Sequence, residues 1–349
     1  MQVNIDKLER SRIDECDFND LHFGKVFTDY MLVSDYDGET WSDFTLGPLK
    51  PLELHPGASS LHYGQTIFEG LKAFKSDSGR VNIFRLRNNL ERINVSAERM
   101  AMPTIDIKSN FNAILKFVEL QKQWVPKKNQ GSLYVRPFMI ATDDALKAIP
   151  SKTYKYIVIA CPVGFYYDRP LNIKIEQKYR RAATGGVGYA KAGGNYGASF
   201  FPTIEAQKDG FDQLIWTDIN NNYSLEELGS ANFFFMRGEL LVTPMIKDSI
   251  LKGITRDTVI QLAKEKGIEV SEEVVELSSF ESDLKSGNVT CMFATGTAAA
   301  VTYVDAVTIG DIKYEVNSEL NEKVASLKKE IHQIKYLEKE DNHGWNVIV

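Results

Sequence analysis

Apolar positions recur along this chain at two different periods, and the period switches from one segment to the next. Beyond Asn88, the residues Leu90, Ile93, Ala97 and Met100 fall at helical spacing and Pro103 follows them. That pattern predicts a helix capped by Asn88 and finished before the proline. Behind Ser109, Phe111, Ile114, Leu115, Val118 and Gln121 share one face of a second helix. A third is expected over Arg256–Lys266, stopped by Gly267, with lysines in its last turn where they oppose the helix dipole. Residues Ser318–Leu337 place Val324, Leu327, Ile331, Ile334 and Leu337 on one stripe, with the charged residues between them solvated. Strands are expected at Ser132–Ile140, Tyr156–Pro162 and Gln213–Thr217. Two more, Asn232–Met236 and Leu240–Thr243, flank the hairpin turn Arg237-Gly238-Glu239. The chain therefore reads as a mixed α and β protein.

Length changes this picture by requiring two domains, since a 349-residue chain exceeds what one hydrophobic core usually organises. The segment GFYYDRP at 164–170 is the natural linker, which divides the chain into 1–165 and a larger 166–349. No internal repeat or low-complexity run is found. Net charge is −6 and no block of lysine and arginine occurs, which argues against nucleic-acid binding. Cys16, Cys161 and Cys291 are scattered and odd in number, as in a reducing compartment, and the histidines form no metal-ligand pair. Asp6, Glu9, Asp14, Glu15, Asp17 and Asp20 argue against a secretory or transit leader. The longest apolar run, 156–167, is too short to cross a bilayer. A soluble, cytoplasmic protein is expected.

Candidate chemistry begins with KAGGNYGAS at 191–199. Glycines let a backbone approach a ligand closely, and a lysine held against such a surface away from water becomes a usable nucleophile toward a carbonyl. Lys191 is thus either a Schiff-base lysine or an incidental residue in a mobile glycine-rich loop. LKGITRD puts Gly253, Ile254 and Thr255 at a helix start, an ordinary beginning or a phosphate seat. TGTAAA at 295–300 is a second small-residue turn able to offer N–H groups to an anion. In SLEELGSAN either Glu226 or Glu227 could hold a pyridine nitrogen protonated, or both could face solvent.

Several longer stretches resemble the branched-chain aminotransferase family: YGQTIFEGLKAF (63–74), NLERINVSAERMAMP (89–103), SLYVRPFM (132–139) and KAGGNYGAS. EELGSANFFF (226–235), ILKGITRDTVIQLA (250–263) and TGTAAAV (295–301) continue the likeness in the same order. The resemblance implies two α/β domains of the fold-type IV (D-amino-acid aminotransferase-like) enzymes, pyridoxal 5'-phosphate between them, and a homodimer. The larger domain, 166–349, would bind the cofactor. Lys191 would carry it as a Schiff base and move the substrate's proton. Tyr196 would bond its phenolic oxygen, and Glu227, rather than Glu226, its pyridine nitrogen. Arg92, the N–H groups of Ile254 and Thr255, and Thr297 would hold its phosphate.

For substrate, the resemblance assigns the α-carboxylate to Thr297 and Ala298. Phe23, Tyr63, Phe68 and Tyr134 would wall the side-chain pocket, with Ser230 beside it. Arg136 would receive the γ-carboxylate of glutamate, unless it is a strand arginine in a structural ion pair. The implied reaction moves an amino group between L-leucine, L-isoleucine or L-valine and 2-oxoglutarate. A D-amino-acid aminotransferase, an aminodeoxychorismate lyase and a non-catalytic pyridoxal-phosphate-binding protein are the alternatives. The aromatic pocket and YVRP point away from the first two, and the set Lys191, Tyr196, Glu227 and Arg92 from the third. Some relatives carry Cys-x-x-Cys after the T-G-T-A turn; here those positions are Ala299 and Thr302, so thiol-based control there is not expected.

Overall fold

The strand expected near 132–140 runs from Ser132 to Ala141 and forms the spine of the first of two units in the computed structural model. The residues described are 1–165, 169–219 and 223–349; the expected linker and boundary fall partly on 166–168, outside them. The first unit comprises Met1–Tyr166, Ala190–Gly194 and Gln333–Val349, and the second Tyr167–Tyr189 and Asn195–His332.

In the first unit Ser132–Ala141 pairs along its whole length with Tyr154–Val163, antiparallel. Among the described residues the sheet runs Val3–Ile5, Phe44–Pro48, Tyr30–Tyr36, Tyr154–Val163, Ser132–Ala141, Leu71–Lys75, Val81–Phe84, Asn346–Ile348, with Thr66–Phe68 added alongside Ser132–Ala141. Helices Leu86–Arg99 and Ile107–Leu120 bury Leu90, Ile93, Ala113, Ile114 and Phe117 in the same core as Leu133, Val135 and Val158.

Both helices start elsewhere than expected. The first begins after Arg85, which adopts a left-handed backbone, and Asn88 is not its cap; Asn88 Oδ1 accepts from Arg85 Nε at 2.7 Å. The second is capped by Asp106, whose carboxylate accepts the Ser109 N–H at 2.8 Å, so Ser109 already lies inside the first turn.

In the second unit the pairing closes on itself. Leu225–Leu228, Gln213–Thr217, Leu171–Glu176, Ala300–Ile309, Val289–Gly296 and Asn232–Arg237 each pair with the next, and the last returns to the first. Leu240–Pro244 and Val270–Glu273 extend this sheet, and Phe233, Phe235, Phe280 and Met292 fill its core. The helix Ile254–Glu265 ends as expected, with Gly267 at φ +70°. The stretch expected as one helix from Ser318 is a 3-10 turn, Ser318–Leu320, then a helix, Glu322–Lys335. Leu337 lies beyond it at φ +60°.

Candidate active site

On the first unit five of the residues singled out above converge. Tyr134 and Arg136 are two apart on one strand and therefore share a face. Arg136 Nη2 donates to the Tyr134 hydroxyl at 2.8 Å, and its guanidinium lies 4.5 Å from the centre of the Phe68 ring. Phe23 packs edge-on against Tyr134, with ring centres 4.8 Å apart. The Lys191 amine sits 4.7 Å from the centre of the same Phe68 ring. The lysine's backbone is fixed from both sides: its N–H donates to Ser96 Oγ at 2.9 Å, and its carbonyl accepts the Phe68 N–H at 3.0 Å. Lys191 is therefore pinned beside the strand Thr66–Phe68, next to the isolated bridge between Ala192 and Ile67. Tyr63 is exposed, with its ring beside His62.

The motif Phe68-Glu69-Gly70 has two structural duties. A Cβ at position 70 would stand 2.1 Å from the Tyr134 hydroxyl, so only glycine leaves room for that ring. Glu69 is fully buried and takes both Nε and Nη2 of Arg92, at 2.6 and 2.8 Å. Such a two-pronged buried pair fixes the arginine's plane.

On the second unit Glu227 and the Gly253 helix start join through Asn232. Glu227 stands opposite Asn232 in the sheet and accepts its side-chain amide at 3.1 Å. Asn232 also donates to the Leu251 carbonyl at 2.9 Å, and a Cβ at Gly253 would meet its Oδ1 at 1.9 Å. Beyond Gly253 the helix begins with Ile254 and Thr255 and has no side-chain cap. Its first-turn N–H groups thus form the kind of end that receives an anion. Gly296 backs onto the Ser230 carbonyl, which sets the turn carrying Thr297 and Ala298 beside the turn carrying Ser230. Tyr196 lies on the short helix Gly193–Gly197 and its carbonyl accepts the Ser199 N–H at 3.0 Å.

Residues 66–307 match the family model for amino-transferase class IV. The chain belongs to the class IV aminotransferases. It is 44% identical over 298 residues to branched-chain-amino-acid transaminase 1 of Bacillus subtilis (strain 168), covering 84% of each chain. Against a probable branched-chain-amino-acid aminotransferase of Staphylococcus aureus (strain N315) it is 39% identical over 94% of this chain and 93% of the other. The solved branched-chain amino acid aminotransferase from Escherichia coli is 28% identical, with a TM-score of 0.73 over 91% of this chain and 98% of that one.

In this class IV aminotransferase the two adjacent glutamates are not equivalent. Both are buried, but only Glu227 meets a cation directly: Arg181 Nη2 lies 2.6 Å from its Oε1, and the Leu251 N–H donates to the same oxygen at 3.0 Å. Glu226 faces the Ser249 hydroxyl; burial pushes its carboxyl pKa up, against the pull of Ser249 and Arg181. Sequence reasoning missed Glu69, Asn232 and Arg181. Glu69 and Asn232 stand inside quoted motifs, where nothing local distinguishes them. Arg181 is one of two neighbouring arginines ahead of a glycine-rich stretch, and that pairing was the available signal. At the position of the missing second cysteine, Thr302 Oγ1 donates to the Ala299 carbonyl at 2.6 Å.

Proposed function

We infer that this chain is a pyridoxal-phosphate-dependent branched-chain amino acid aminotransferase, exchanging amino groups between L-leucine, L-isoleucine or L-valine and 2-oxoglutarate. The agreement with curated branched-chain transaminases over most of the chain supports the activity. The observation that carries the reading in the structure is Glu227. It is a buried carboxylate with a guanidinium on one oxygen, joined through Asn232 and Gly253 to an uncapped helix start. That donor set fits pyridoxal phosphate: an anion for a pyridinium N–H, and free backbone N–H groups for a phosphate. The bound pyridoxal ring supplies the electron sink for the charge left when the substrate's Cα loses its proton.

The chain's own residues then divide the work. Lys191 would provide the amine that holds the cofactor's aldehyde and, once freed by substrate, would move the proton of the substrate's Cα. Glu227 would accept the ring N–H, and Tyr196 would bond the phenolic oxygen. Ile254 and Thr255 would offer their N–H groups to the phosphate, with Arg92 and Thr297. Thr297 and Ala298 hold the substrate α-carboxylate through the N–H groups of their turn. Phe23, Phe68, Tyr134 and Tyr63 take the apolar side chain, with Ser230 beside them.

Arg136 receives a γ-carboxylate, which would otherwise lose its water without replacement among aromatic rings. Its bond to Tyr134 and its stacking on Phe68 hold the guanidinium on the aromatic surface. We also read 166–349 as the cofactor-binding domain, and the protein as a cytoplasmic homodimer. Among the described residues no helix is long and apolar enough to cross a membrane.

An amino-donor panel with 2-oxoglutarate tests this reading. Leucine, isoleucine and valine should each yield glutamate. Turnover of D-alanine in their place, or colour on adding the cofactor with no turnover at all, would contradict it.

A further inference from the structure

Arg181 is anchored more firmly than an ion pair alone requires. Besides Glu227, its Nη2 reaches the carbonyls of Gly188 at 2.9 Å and Ser249 at 2.7 Å. Gly188 lies so close to Ser249 that a Cβ there would meet its carbonyl oxygen at 2.5 Å. Next to it the Tyr189 N–H donates to the Asp248 carbonyl, and Asn195 Nδ2 donates to the Val187 carbonyl. The segment ahead of Lys191 is thereby fastened to the segment beside Glu227, with Arg181 bonded to both. The side chains of Arg181 and Glu227 are only 6% and 5% exposed, so little solvent screens the pair.

Arg256 feels Glu227 but is paired with Glu272 and donates to the Pro244 carbonyl. Glu226 points to Ser249, and Asp218 and Lys247 act on Glu226. The Arg181 guanidinium thus acts on both buried glutamates and touches Glu227.

We propose that Arg181 is a positioning residue that keeps Glu227 charged, so that of the adjacent glutamates Glu227 alone is the anion offered to the cofactor ring. This rests on the reading of Glu227 as the partner of the ring nitrogen. With a guanidinium 2.6 Å from one of its oxygens, Glu227 is set to accept from a ring N–H rather than to take the proton. Remove the guanidinium, and a carboxylate whose side chain is only 5% exposed loses the cation on its Oε1 and takes up a proton at higher pH.

The test compares wild type, Arg181→Met, Arg181→Lys and Glu226→Gln, each with and without pyridoxal phosphate. In the loaded proteins, visible absorbance is followed from about pH 5 to about pH 9. Arg181→Met should move the absorbance midpoint by at least about one pH unit. It should also lower kcat more than about thirtyfold with the leucine KM within about threefold. Arg181→Lys, which restores a cation, should recover most of the wild-type profile, and Glu226→Gln should match wild type.

Without cofactor, melting temperature against pH gives an independent reading. In Arg181→Met the folded Glu227 carboxyl would be raised above its unfolded value. Stability relative to wild type is then kept at low pH and lost as pH rises from about 5 to about 8. Absorbance and melting profiles for Arg181→Met that superpose on wild type would overturn the proposal. If that variant takes up no cofactor, its melting profile decides alone, and a curve parallel to wild type overturns it. A failure of the underlying reading is visible separately, in a wild-type protein that takes up no pyridoxal phosphate or does not turn over leucine.

Discussion

Replacing Gly253 by alanine perturbs the candidate site without touching any charged group. The added Cβ would lie 1.9 Å from Asn232 Oδ1 and 3.1 Å from its Cγ, so Asn232 must move. Asn232 is buried and its amide is committed to Glu227 at 3.1 Å and to the Leu251 carbonyl at 2.9 Å. A bond to a charged acceptor contributes about 1.5–3 kcal/mol and a neutral one about 0.5–1.5 kcal/mol, so losing both costs about 2–4.5 kcal/mol. For a unit of this size that corresponds to a melting-temperature drop of roughly 5–15 °C in the cofactor-free protein. Differential scanning calorimetry measures the drop, and a fluorescence titration with pyridoxal phosphate measures the accompanying loss of affinity. Gly253→Ala with wild-type melting and wild-type affinity would refute the claim that Asn232 is locked between Glu227 and the helix start.

Arg136→Met should spare the leucine half-reaction within about tenfold, about 1.4 kcal/mol, and slow the glutamate half-reaction much more. Single-turnover absorbance changes with each amino acid separate the two, and equal losses would make Arg136 structural. Lys335 offers a test of buried charge: burial, and then the neighbouring Lys72, bring its amine down to about 7. The unfolded chain binds that proton up to the ordinary value of 10.5, so the penalty is full below pH 7 and fades as pH rises toward 10.5. Lys335→Met should therefore be more stable than wild type at neutral pH, by a margin in urea melts that narrows toward high pH. Glu69→Ala leaves Arg92 without its carboxylate and should cost about 3–5 kcal/mol in the same melts.

Local pattern carried the strands well where turn residues bound them, as at Gln213–Thr217, which the structure reproduces end to end. It failed at helix starts because the deciding contacts are specific: Arg85 takes a left-handed backbone and bonds Asn88, and Asp106 rather than Ser109 supplies the cap. Val289–Gly296 and Ala300–Ile309 went unread as strands because both are buried on nearly every residue. No alternation betrays them, and only their connecting turn stood out. Lys191, Glu227 and Arg92 were legible through motifs. Their supporting partners, Ser96, Arg181 and Glu69, were not, since a hydroxyl, a guanidinium and a carboxylate brought in from other segments leave no trace at the residues they support.

The central claim is that Lys191 carries pyridoxal phosphate in a leucine aminotransferase. Borohydride reduction of the loaded protein, followed by digestion and mass spectrometry of the peptides, tests it most directly. The account predicts a phosphopyridoxyl group on Lys191, lost when leucine is added before reduction. Modification of a different lysine, or a label on Lys191 that leucine does not remove, would contradict it.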